Sequence, residues 1–144
     1  MGLHFQVRSA GGVASTVQLG PHTVLFDQPV ALGGAARGPS PLVVFAAAVG
    51  ACSHYYAAAF LTQRGLPVEG LTVDVDYEKA SEGPERIANL VMQIQVPAAT
   101  PAKYLAAIER AVRGCPAYGT LVQSPDVVLR VVRQAESAAA TPEH

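Results

Sequence analysis

Two cysteines are the residues whose type and setting most directly suggest chemistry in this chain. Cys115 stands immediately before Pro116 at the expected start of a short helix, an N-cap position where unpaired backbone N–H groups favour a thiolate. Arg113 nearby would push the same way. Cys52 lies at the centre of a long uncharged stretch, where burial without a charge partner raises a thiol pKa and leaves the group inert. Taken singly, each also has an ordinary reading as a small buried apolar residue. The pair says more than either member. If both line one pocket, an oxidised Cys52 can be captured by Cys115 as a disulfide, which protects it from further oxidation. Such pairing requires Cα atoms within about 7 Å.

His54, Tyr55 and Tyr56 follow Cys52 closely, but neighbouring positions on a helix point in different directions. Tyr55 and Tyr56, three and four positions on, can face the thiol; aromatic packing against a sheet is their plainer role. A zinc site from Cys52, His54, Cys115 and a histidine such as His22 lacks any recognised ligand spacing, so neither a metal nor a cofactor is expected. Nucleotide and serine-hydrolase glycine motifs are missing; Gly11-Gly12 and Gly33-Gly34 are isolated doublets.

The elements that must position these residues read clearly. From His4 to Phe26, β-favouring stretches are broken at Gly11-Gly12 and Gly20-Pro21, which predicts a three-stranded antiparallel meander. Residues 27–39 are rich in glycine and proline and form a loop. Ser40 and Pro41 then start a helix that Gly65 and Pro67 stop. No Asp, Glu, Lys or Arg occurs between Arg37 and Arg64, so this helix is long and apolar enough to raise a membrane-span reading. The polar atoms of Cys52, Ser53, His54, Tyr55 and Tyr56 at its middle argue against a membrane. A helix apolar on all sides must be covered on all sides, and one modest sheet covers only one. The sequence therefore asks for a second copy of itself.

Leu71, Val73, Val75 and Tyr77 alternate with polar residues, as do Leu90, Met92, Ile94 and Val96, predicting a hairpin turned at 81–84. A second helix opens at Thr100-Pro101, buries Tyr104, Leu105, Ile108, Ala111 and Val112, and ends at Gly114. A third runs from Cys115 to Gln123, and 127–132 reads as a last strand. The pattern is one α+β domain over 1–133, with residues 134–144 a frayed tail.

Composition bounds the partners. The chain has 144 residues, a formal net charge of -1 and 15% charged residues, so it carries no basic footprint for nucleic acid. Residues 1–8 lack the basic start and apolar run of a signal peptide, so the expectation is a cytoplasmic chain whose thiols start out reduced.

The segments Gly38-Pro-Ser-Pro-Leu-Val-Val-Phe-Ala-Ala-Ala-Val-Gly-Ala-Cys52 and Cys115-Pro-Ala-Tyr-Gly-Thr-Leu121 resemble the OsmC/Ohr family of osmotically induced and organic hydroperoxide resistance proteins. The element order is similar to that family over about residues 3–133. The resemblance implies an OsmC-like fold: antiparallel sheets around a long central helix, in an intertwined homodimer. It implies that Cys52 reacts with an organic hydroperoxide, that Cys115 resolves the product as a disulfide, and that a dithiol, often lipoyl-linked, recycles the enzyme. Family members pair a glutamate after the helix-start proline with an arginine from the N-terminal glycine-rich loop; here Leu42, Val43 and Val13 occupy those places. Arg37, folding back toward the site, is the expected substitute. The missing ion pair keeps a second reading open, a non-peroxidatic dimeric binding module taking a small hydrophobic or thiol-bearing ligand in the same pocket.

Overall fold

The computed structural model describes residues 2–135 of the chain. Its order is β1 (Val7–Ser9), β2 (Ser15–Leu19), β3 (His22–Phe26), α1 (Pro41–Gln63), β4 (Thr72–Lys79), β5 (Ile87–Gln95), α2 (Leu105–Arg113) and α3 (Pro116–Val122). The fold is α+β with antiparallel sheets and a long helix. β1, β2 and β3 form the expected meander, Val17 facing Val7 on one side and Val24 on the other. The turns work because Gly11, Gly12 and Gly20 adopt positive φ, which residues with a Cβ avoid.

α1 starts at Pro41, whose missing N–H costs nothing in a first turn, and Gly65 with φ +65 closes its C-terminal end. Its buried residues, Ala46, Val49, Gly50, Ser53, Ala57, Phe60 and Leu61, recur every three or four positions and so mark one face. That face lies on the β4–β5 hairpin, where Val73, Val75 and Tyr77 point inward as alternation requires. Gly50 permits the approach: a Cβ there would stand 2.5 Å from Val75 Cγ2.

Ala57, Phe60 and Leu61 join Leu71 and the α2 residues Ile108 and Val112 in the core. Each such aliphatic or aromatic side chain contributes about 1.5–3 kcal/mol on full burial. The Arg64 guanidinium stacks 3.6 Å above the Phe60 ring and seals the helix end. α1 meets the length and composition of a membrane span, yet its buried face is used in packing an ordinary core.

The meander and the hairpin form separate sheets of three and two strands. Two expectations need correction. Leu105 is half-exposed rather than buried with Ile108. The strand expected over 127–132 does not form, and 124–135 has no regular structure. A strand requires an edge to bond with, and no edge of either sheet meets this segment. The expected tail over 134–144 falls, from residue 136 on, outside the described residues.

Candidate active site

Cys115 takes an extended conformation (φ -64, ψ 129), as residues before proline do, and donates its N–H to Val112 O at 2.9 Å. This ties α3 to the end of α2 and leaves the Cys115 side chain almost wholly buried. Cys52 projects from α1, partly exposed, within hydrogen-bonding reach of the Cys115 sulfur. The two thiols, remote in sequence, therefore face each other across the α1–α3 contact, and both are reduced.

The electrostatics of the pair follow from this placement. Cys52 is raised above the usual thiol range, first by a hydrogen bond to Cys115 that stabilises its neutral form, then by loss of water. The backbone N–H of Ala117 opposes both. Pro116 has no N–H, so Ala117 carries the first donor of α3 that can serve a neighbour, and it is directed to Cys52 rather than to Cys115. Cys115 is the N-cap of α3, as its place before Pro116 suggested, but its side chain makes no capping hydrogen bond.

Arg113 is also placed differently from expectation. It forks onto Glu109 Oε1 at 2.8 Å and donates to Tyr118 Oη at 3.0 Å, so its charge is engaged away from the thiols. Tyr55 is exposed, whereas Tyr56 packs edge-on against it and against the core cluster. Beside Cys52, the fully buried Ser53 donates its hydroxyl to Met92 Sδ at 3.3 Å. Met92 and Val112 line an apolar groove of about 500 Å³ between β5 and α2, rimmed by Arg113 and Tyr118.

Arg37 stands apart from Cys52 in its own chain. Its guanidinium donates to Ala10 O at 2.8 Å, beside the Gly11-Gly12 turn, and its backbone N–H donates to Asp27 Oδ2 at 3.1 Å. Asp27, buried under this loop, also accepts from Gln28 N at 2.8 Å and Ala35 N at 3.2 Å. The turn closes because Gly34 passes against Gln28 O, where any Cβ would collide at 1.9 Å. Asp27 went unnoticed in sequence; an acidic residue opening a glycine-rich loop was its only signal.

The Arg37, Gln28 and Ala35 amides and the Arg37 charge hold the Asp27 carboxyl below its ordinary value of 3.8, against a smaller effect of burial. A depressed folded-state pKa gives stability that is present above the unfolded value and lost as pH falls through the folded one. Asp27→Asn is therefore expected to lower the thermal midpoint at pH 7, with the gap from wild type closing as pH falls below about 3.9. Melting curves from pH 7 to pH 2 check this; a gap independent of pH would remove the charge from the explanation.

Comparison with known proteins comes from two directions. The family model described as OsmC-like protein matches residues 33–130. Among solved structures, a candidate osmotic stress induced and detoxification response protein from Psychrobacter arcticus superposes with a TM-score of 0.73 at 17% identity, covering 83% of this chain and 89% of that one. An organic hydroperoxide resistance protein OsmC from Legionella pneumophila gives 0.59 at 18% identity, with the same coverages of 83% and 89%. The organic hydroperoxide resistance protein of Elizabethkingia anophelis gives 0.58 at 21% identity, again covering 83% and 89%. At these identities the likeness is one of fold. No curated protein matches the chain significantly.

Proposed function

Because the chain belongs to the OsmC-like protein family, we propose that it is a thiol-dependent peroxidase for organic hydroperoxides, acting in defence against oxidative stress. The observation that carries this reading is the contact between Cys52 and Cys115. The Cys52 thiolate attacks the distal oxygen of ROOH; the O–O bond breaks, ROH leaves with a proton, and Cys52 becomes a sulfenic acid. The Cys115 thiol then attacks that sulfur, forming the disulfide and releasing water. An external dithiol, lipoyl-linked in the fuller form of the proposal, reduces the disulfide and is itself oxidised.

The partly exposed partner is the proposed peroxide-reacting residue and the buried one the resolving residue, which is the order of access the cycle needs. The groove past Met92 and Val112, lined by neither cysteine but reached through Met92 beside Ser53, is the proposed seat of the organic group. Tyr56 borders the site from the same helix face as Cys52, with Tyr55 beside it, and Arg37 is the proposed source of positive charge. The working unit is a homodimer of one domain over 1–133, in the cytoplasm. A second copy is what the exposed Val43, Phe45 and 127–132 side chains call for.

Counting free thiols before and after one equivalent of cumene hydroperoxide, with intact mass, tests the proposal. Loss of two thiols with a decrease of about 2 Da, the two hydrogens given up on disulfide formation, is expected. One observation favours a second reading, the binding module: among the described residues no cation of the same chain acts on Cys52, whose pKa is raised. An unchanged thiol count over hours, with Cys52 protected from alkylation by a small thiol-bearing ligand, would select it.

A further inference from the structure

Cys52, Cys115 and Met92 are the sulfur-bearing residues among those described, and Met92 alone lines the groove between β5 and α2. Alternation along β5 puts Met92 on the inward face, in register with Val75. Its neighbours around the groove are apolar, with Ile94, Val96, Leu105, Ile108 and Val112 among them. A molecule drawn in by its organic group therefore meets a thioether before it meets either thiol.

That sulfur is also furnished with a donor. Ser53, fully buried on α1, directs its hydroxyl to Met92 Sδ at 3.3 Å. A thioether is a weak acceptor, so a buried hydroxyl spent on it gains less than it would from an oxygen. A sulfoxide oxygen is a strong acceptor, and here it would find a donor already in place. This offsets the main cost of making an inward-facing apolar side chain polar, which is a buried oxygen without a partner.

We propose that Met92 is a modification site for organic hydroperoxides: ROOH seated in the groove oxidises Met92 to the sulfoxide, and the Ser53 hydroxyl donates to the new oxygen. A sulfur lone pair attacks the distal oxygen, the O–O bond breaks, the hydroperoxide proton passes to the departing alkoxide, and ROH leaves. The thioether loses two electrons and the peroxide gains the same two, so no further reagent is needed. A polar oxygen in the groove lining then weakens its hold on the next organic group, and the modification limits occupancy when peroxide is in excess. The inference rests on the groove as the seat of the organic group, but not on the thiol cycle.

Peptide mapping reads the site. Trypsin releases residues 87–103, in which Met92 is the sole methionine, and one added oxygen raises that mass by about 16 Da, apart from any oxygen gained at cysteine. Cys52→Ser protein, whose competing thiol is gone, is treated with excess cumene hydroperoxide beside the isolated 87–103 peptide. Folded Met92 is expected to oxidise about tenfold faster than the peptide, because the groove concentrates the reagent at the sulfur. Hydrogen peroxide has no organic group to be held, and is expected to reverse that order. Leu105→Glu, a charge at a half-exposed place in the groove wall, brings the cumene hydroperoxide rate down to that of the peptide while the melting curve shows a folded chain. Oxidation also lowers the thermal midpoint further when Ser53→Ala is added, because the sulfoxide oxygen then lacks its donor. A peptide that oxidises as fast as the folded chain, a rate unchanged by Leu105→Glu, or equal falls in midpoint with and without Ser53 each overturns the inference. In wild type, an oxidised Met92 beside two unchanged thiols would sink the peroxidase reading and leave this one standing; disulfide formation with Met92 untouched would do the reverse.

Discussion

Cys52→Ser is expected to abolish organic hydroperoxide consumption, by about a thousandfold or more, while leaving the protein folded. A serine hydroxyl has no accessible anion near neutral pH and cannot be oxidised to the sulfenic state on which the cycle depends. The change removes one sulfur from a partly exposed position on the middle of α1, where core packing is carried by Ser53 and Ala57 instead. Its cost in stability should be slight, so loss of turnover cannot be attributed to unfolding. Peroxide consumption by a coupled dithiol assay, with a melting curve on the same sample, measures both. Residual turnover within tenfold of wild type would exclude Cys52 as the reacting thiol.

Cys115→Ala is expected to act in opposite directions on two steps. Cys115 stabilises the neutral Cys52 thiol, and that hydrogen bond is the largest reason for the raised pKa. Without it the Cys52 pKa falls, the thiolate fraction at neutral pH grows, and the first encounter with peroxide quickens. The sulfenic acid then has no resolving partner. Under excess peroxide it proceeds to the sulfinic acid, a gain of about 32 Da for two oxygens, and activity decays with each turnover. Rapid-mixing rates of the first oxidation, set beside intact mass after prolonged exposure, separate the two effects. A variant that sustains wild-type turnover without mass gain would show that resolution does not run through Cys115.

Much of the fold was legible. Ser40-Pro41 and Gly65 bracketed α1, and alternation in 71–77 and 90–96 gave the hairpin its inward face, because these signals are local. The 127–132 strand was the failure of the same method. Its β-branched composition is a local preference, and whether it becomes a strand depends on an edge that one chain does not offer. The site was half legible. The types and context of Cys52 and Cys115 marked them, but their meeting depends on how α3 settles on α1, a long-range contact with no trace in spacing. The anchoring of Arg37 depended on Asp27 and on a loop closure that only Gly34 permits.

Gly50 carries a consequence for the precision of the thiol pair. It sits two residues before Cys52 at the point where α1 presses on Val75, so the helix rests on the sheet there as a beam rests on a fulcrum. A methyl group added at the fulcrum would stand well inside contact distance of Val75 Cγ2, so either that side chain or the beam must move, and where the beam moves the sulfur beyond it swings with the helix. The depth at which Cys52 is presented to Cys115 is thus set on the opposite face of α1 by an absent side chain.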